Sequence, residues 1–128
     1  MGLPGRGTTF FRRIEGPPGA PTVMLLHGWT ASGGMNYFKA FDELSKHFSI
    51  VAPDLRGHGR GIRSWRRFRL ADCADDTAAL IRELDCRPVI AAAALVTFGG
   101  GAFFGLIAGL IAEAIRVRIA RRRPRHEL

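Results

Sequence analysis

Two short apolar runs constrain the fold of this chain more than any other feature. Residues 22–26 read Thr-Val-Met-Leu-Leu and residues 49–52 read Ser-Ile-Val-Ala. Neither alternates with polar residues, so each suits a strand buried on both faces, as in a parallel sheet. Between them Tyr37, Phe38, Phe41, Leu44 and Phe48 recur at helical spacing, with Asn36 placed to cap the helix start. After the second run Leu70, Cys73, Thr77, Leu80, Ile81 and Leu84 fall on one face of a further helix. Asp72, Asp75 and Asp76 near its start and Arg82 near its end complement the helix dipole. Residues 8–14 read as a short strand closed by the turn Gly16-Pro17-Pro18-Gly19, and Pro88-Val89-Ile90 opens another strand. The order strand, helix, strand, helix, strand predicts right-handed crossovers, a parallel sheet with flanking helices, and hence an α/β class.

The apolar fraction of 47% excludes a disordered chain. It is unevenly spread. Up to about Arg87 charged, apolar and turn residues mix, residues 88–112 carry no charge, and from Glu113 arginine dominates. The net charge of +8 is concentrated in Arg56, Arg60, Arg63, Arg66, Arg67 and Arg69, and in Arg116, Arg118, Arg121, Arg122, Arg123 and Arg125. Such charge could neutralise phosphates. No aromatic platform, zinc spacing or recognition-helix pattern accompanies it, which argues against nucleic acid as the partner. An apolar run followed directly by arginines fits a membrane boundary better, and solvated surface arginines are the plainer alternative. Cys73 and Cys86 form no C-x-x-C and have no histidine at metal-ligand spacing, so buried reduced thiols are expected, with neither metal nor cofactor. Residues 1–7 hold Gly and Pro where the apolar core of a secretory signal would lie, which points to a cytoplasmic first domain.

The loops that follow the two apolar runs resemble those of the α/β-hydrolase family. His27-Gly28-Trp29 is similar to the family's HG-x motif, and residues 53–60 (Pro-Asp-Leu-Arg-Gly-His-Gly-Arg) are similar to its P-D-x-R-G-x-G-x-S loop. Gly61 stands where that pattern has a small polar residue. The helix with Leu70-Ala71-Asp72 and Asp75-Asp76 resembles the one leading to the nucleophile strand, so the resemblance covers about residues 8–91. It implies an acyl-transfer site in which the backbone N–H of Trp29 stabilises the oxyanion, an interaction worth about 3 kcal/mol. Gly28 would let the backbone approach a small ester-like substrate closely. His27 would be a supporting residue that hydrogen-bonds neighbouring loops. Asp54 and Arg56 would lock the loop that contains Gly57 and Gly59, by a salt bridge or backbone hydrogen bonds, and His58 would be a turn residue.

The sequence then departs from the family. The nucleophile elbow G-x-S-x-G should follow the strand that starts near Val89. Residues 91–100 read Ala-Ala-Ala-Ala-Leu-Val-Thr-Phe-Gly-Gly, and no serine follows Ser64. Ser32 lies in the wrong loop, Thr97 has no base at hand, and His126 sits in an arginine tail. The catalytic nucleophile, acid and base are therefore expected to be absent.

Three units are expected: residues 1–91 as the N-terminal half of a hydrolase domain, 92–115 as an apolar Ala/Gly-rich helix, and 116–128 as a basic tail. The uncharged stretch 88–112 is longer than a membrane crossing needs. Gly101, Gly105 and Gly109 repeat as G-x-x-x-G, which lets membrane helices self-associate. Positive-inside arginines would then face the cytoplasm. A core strand followed by a soluble amphipathic helix, or a tail produced by a frameshift, a fusion or a gene-model error, are the alternatives. The functional readings are a truncated, inactive hydrolase, a single-pass binding protein that reuses the hydrolase front half, or a basic tail that binds anionic lipid or nucleic acid. An open sheet edge predicts aggregation or membrane association.

Overall fold

The computed structural model of the chain describes residues 1–65, 67–86 and 89–93. Strands β1 (Gly2–Leu3) and β2 (Gly7–Thr8) form a small antiparallel hairpin. Strand β3 (Phe11–Ile14) follows, then β4 (Thr22–Leu26), helices α1 (Gly33–Tyr37) and α2 (Phe41–Leu44), strand β5 (Ser49–Pro53), helix α3 (Leu70–Glu83) and strand β6 (Val89–Ala93). The main sheet has the order β3-β5-β4-β6. β4 runs parallel to both β5 and β6, while β3 pairs antiparallel with β5.

β4 and β5 are buried on both faces, as their unbroken apolar runs require, while the edge strand β6 leaves Ile90 exposed. Met24, Leu26 and Val51 point to one face, where they meet Ala74, Leu80 and Ile81 of α3. Val23, Leu25, Ile50 and Ala52 point to the other, where Tyr37, Phe41, Leu44 and Phe48 cover them. Helix α3 matches its expected face: Cys73, Thr77, Leu80 and Ile81 are buried, and Leu70 and Leu84 pack at its ends.

Several expectations need correction. The strand expected over residues 8–14 is two pieces. Thr9 turns aside to exchange hydrogen bonds with Met1, and only from Phe11 does the chain pair with β5. The helix expected after Asn36 is divided into α1 and α2, and Ser32 rather than Asn36 is the N-cap, its hydroxyl accepting from the Met35 N–H at 3.3 Å. Asn36 lies inside α1 because its side chain is used elsewhere, as described below. The aromatic spacing still marks a half-buried stripe packed on the sheet, except that Phe38 is exposed. Cys73 is buried and Cys86 half-buried, both as free thiols.

Ala92 and Ala93 belong to strand β6, so the stretch from residue 88 is not one continuous helix. Residues 94–128 lie outside the described residues. With them go the expected apolar helix, Gly101, Gly105 and Gly109, the elbow position, Thr97, His126 and the basic tail. Among the described residues no helix is long and apolar enough to cross a membrane.

Candidate functional site

β4 and β5 are parallel neighbours, so the loops that leave their C-terminal ends are brought side by side. That edge of a parallel sheet is where α/β proteins bind ligands. The first loop is His27-Gly28-Trp29-Thr30, and the second begins at Asp54.

His27 joins the two loops. It is buried, and its Nε2 accepts the backbone N–H of Leu55 at 2.8 Å. Because that contact needs an unprotonated Nε2, the ring proton sits on Nδ1 and is donated to the carbonyl of Gly28 at 2.8 Å. Burial, chiefly, lowers the His27 pKa below its ordinary value, and nearby His58 adds to this; the bond to Gly28 and the charge of Asp54 oppose it. The neutral tautomer is the one that both hydrogen bonds require.

The grip on Gly28 also sets the direction of Trp29. In a trans peptide the carbonyl and the following N–H point to opposite sides. With the Gly28 carbonyl turned in toward His27, the Trp29 N–H is turned away from it. That N–H bonds to none of the described residues. On its other side Gly28 donates its own N–H to the Asn36 side chain at 2.9 Å. Asn36 therefore clamps the loop. Sequence reasoning missed this role; the only available signal was a polar residue placed a few positions beyond the glycine. Tyr37 pins α1 to the end of β4 through its hydroxyl, which donates to the Leu26 carbonyl at 2.7 Å. Thr30 sits at φ 61°, a strained position for a β-branched residue at the end of this loop.

Asp54 organises the second loop. It is buried, and its carboxylate accepts the N–H of Gly33 at 3.0 Å and of Arg60 at 2.9 Å, with Arg12 at 3.5 Å. The locking role expected of it is thus carried by backbone hydrogen bonds. Arg56 does not share it. Its guanidinium reaches Asp76 on α3, with Nε at 2.7 Å and Nη2 at 2.8 Å. Gly59 is at φ +46°, where a Cβ would collide with the Asp54 carboxylate. Gly61 is buried, and a Cβ there would collide with the carbonyls of Asp54 and Leu55. This is why a glycine stands where a small polar residue was expected. Gly57, at φ +78°, takes the left-handed turn between Arg56 and His58.

His58 does more than turn the chain. Its Nδ1 lies 3.0 Å from the Arg56 carbonyl, and its ring packs edge-to-face on Trp29 at 5.2 Å. Phe68 closes the group at 5.3 Å from Trp29 and 6.0 Å from His58. Phe68 was missed in the sequence because it sits among arginines. Among the described residues no group of three His, Cys, Asp or Glu side chains could hold a metal ion. The Ser32 hydroxyl is committed to the α1 cap. The arrangement therefore offers a backbone donor that no described residue takes up, beside an aromatic wall, and among the described residues no nucleophile paired with a base.

A family model of the alpha/beta hydrolase fold matches residues 21–92. The chain is 35% identical over 78 residues to a bifunctional esterase/perhydrolase of Acinetobacter calcoaceticus, covering 61% of this chain and 28% of that protein. It is 30% identical over 115 residues to a non-heme chloroperoxidase of Streptomyces lividans, covering 90% of this chain and 40% of that protein. A match of that length passes Ala91, where the sequence reading placed the end of the resemblance. Among solved structures a haloalkane dehalogenase variant from Bradyrhizobium elkanii matches with a TM-score of 0.64 and 29% identity, over 73% of this chain and 30% of that one. The chain thus spans well under half the length of each of these proteins.

Proposed function

The chain belongs to the alpha/beta hydrolase fold family, and from that premise we propose that the loops after β4 and β5 are the oxyanion half of a hydrolase-type site for small ester-like molecules. The observation that carries this reading is the Gly28–Trp29 peptide. His27 holds its carbonyl and leaves the Trp29 N–H turned away from His27, with no partner among the described residues, at the C-terminal end of β4. A preset N–H donor of this kind stabilises charge that develops on a carbonyl oxygen, because no reorganisation is needed as the charge appears. The esterase/perhydrolase relative supports an ester as the substrate class.

Ester turnover also requires a nucleophile with a base held against it. No serine follows Ser64 in the sequence, both ring nitrogens of His27 are engaged by backbone groups, and among the described residues no base is held against Ser32. We therefore propose that the 128-residue chain alone binds at this site without catalysing turnover. Two measurements test the proposal. With p-nitrophenyl butyrate, the purified chain should release nitrophenol no faster than buffer; saturable turnover would overturn the inactivity. In an amide NMR titration with butyrate, whose carboxylate stands in for the oxyanion, the Trp29 resonance should move most. A static Trp29 resonance would overturn the oxyanion assignment, whatever the turnover assay gives.

A further inference from the structure

The loop between β5 and α3 carries a charge pattern that the oxyanion donor does not use. No acidic residue occurs between Asp54 and Asp72. Arg56 is neutralised by Asp76, and Arg69 only approaches Asp72, at 3.8 Å. Arg60 stacks over Phe10 at 3.4 Å from its ring centroid, and Arg63 donates to the carbonyls of Gly57 and Gly59. Rings and neutral carbonyls leave both charges in place. Arg67 is exposed and makes no ion pair among the described residues. In the middle of these cations Trp65 is fully exposed, with a relative accessibility of 107%, and Trp29 beside the loop is 53% exposed.

We propose that this loop docks on an anionic lipid surface, with the Trp65 indole in the headgroup layer and Arg60, Arg63 and Arg67 over lipid phosphates. An indole has an apolar body and one polar N–H, the combination that partitions to a membrane–water interface. Basic residues around it add electrostatic attraction to an anionic leaflet, lost beyond a Debye length. Single-stranded nucleic acid also favours cations and aromatic rings, but it needs ring faces on which bases stack. Here Trp29, His58 and Phe68 meet edge-to-face, with interplanar angles of 74° to 87°, so they present no row of parallel faces. Charge complementarity and the lone protruding indole therefore favour the lipid surface. Trp29 touches Phe68 at 5.3 Å, so docking would bring the bilayer to the edge of the oxyanion loop. Only this last consequence rests on the hydrolase reading; the docking itself does not.

The chain has two tryptophans, so Trp29→Phe leaves Trp65 as the sole emitter. The full-length variant is titrated with vesicles of pure phosphatidylcholine, and with vesicles of equal parts phosphatidylcholine and phosphatidylglycerol. Trp65 emission should shift to the blue with the anionic vesicles alone, and added salt should reverse the shift. Replacing Arg63 and Arg67 by Ser should lower partitioning about fivefold per residue. Both side chains are exposed and the carbonyls that Arg63 holds can turn to water, so the urea midpoint should change little, and a loss of partitioning at an unchanged midpoint reads as lost docking. Binding of anionic vesicles with unchanged Trp65 emission would overturn the proposal, because another region would then hold the lipid. Equal binding to pure phosphatidylcholine, full binding by the arginine variant, or a larger Trp65 response to an oligonucleotide at equal phosphate would each overturn it too.

Discussion

Asp54 takes its closest hydrogen bonds from backbone amides, whereas Asp76, buried almost as deeply, takes its bonds from arginine side chains. At the first junction the donors are the Gly33 and Arg60 N–H groups at 3.0 and 2.9 Å, with the Arg12 guanidinium more distant at 3.5 Å. At the second, Arg56 reaches Asp76 from the β5 loop and Arg6 reaches it from the β1–β2 hairpin. The Asp54 junction fixes the path of the chain at the candidate site, since an amide donor is part of the backbone it holds. The Asp76 junction fixes where α3 and the hairpin dock, through long side chains that leave the local backbone free. Site geometry and element docking are thus held by separate carboxylates.

The two junctions should differ most when a carboxylate is deleted. Asp76→Ala leaves the Arg56 guanidinium, 13% exposed at its side chain, without its hydrogen-bonded counter-charge and with only the more distant Asp72, and should cost about 3 kcal/mol of stability. Asp54→Ala strands the buried Gly33 N–H, while the exposed Arg60 N–H can turn to water, and should cost about 2 kcal/mol. Urea unfolding of both variants checks the order. Asparagine sharpens it. Asp54→Asn keeps an acceptor oxygen for an amide and should lose about 1 kcal/mol, while Asp76→Asn cannot neutralise a guanidinium and should stay near the alanine value. Equal losses for the two asparagine variants would break the comparison.

The same division explains what could be read in the sequence. Asp54, Gly59 and Arg60 lie within one short stretch, so that part of the junction is a local pattern, while Gly33 and Arg12 join it from 21 and 42 positions away. Arg6 and Asp76 are 70 positions apart, and nothing in either neighbourhood names the other. Arg56 was grouped with Asp54 because the two are adjacent in the pattern, but its side chain points to α3. Asn36 was read as a helix cap because it opens an aromatic stripe of helical period; the fold uses its amide on Gly28 instead. The aromatic wall was illegible for a similar reason, since Phe68 is embedded in an arginine run that reads as a solvated loop. The parallel pairing of β4 with β5 was legible in two unbroken apolar runs, but the antiparallel β3 that makes the sheet mixed was not, and the split of residues 8–14 depended on Met1 pairing with Thr9, a contact no periodicity announces.

His27 links the Asp54 loop to β4, and its titration should disturb that junction alone. Its folded pKa is lowered, mainly by burial, so the unfolded chain takes up the proton first as pH falls. The stabilisation is therefore complete above the ordinary histidine value of 6.5 and declines as pH drops below it. A proton on Nε2 would also remove the acceptor of the Leu55 N–H. Replacing His27 with Gln should remove this part of the pH dependence of the urea midpoint. The variant and the parent chain falling in parallel below pH 6.5 would assign the decline to other groups.

The smallest effect should appear at Cys73, which lies on α3 beside Asp76 and reports on that junction alone. Burial, first, and then the negative charge of Asp76 push its thiol up to about 11. At pH 8 only about one thiol in a thousand is then ionised, so a disulfide reagent should label the half-buried Cys86 and leave Cys73 until urea unfolds the chain. Asp76→Asn removes the second cause and keeps the first, so Cys73 labelling should rise severalfold while remaining far slower than in urea. Asp54→Asn should leave it unchanged, because Asp54 is not among the groups that act on this thiol. A denaturant series separates charge from opening: a faster rate that is flat at low urea reports the altered thiolate, and one that climbs with urea reports α3 coming away. If Asp54→Asn speeds Cys73 as much as Asp76→Asn does, the two junctions open together, and the separation between site geometry and element docking is lost.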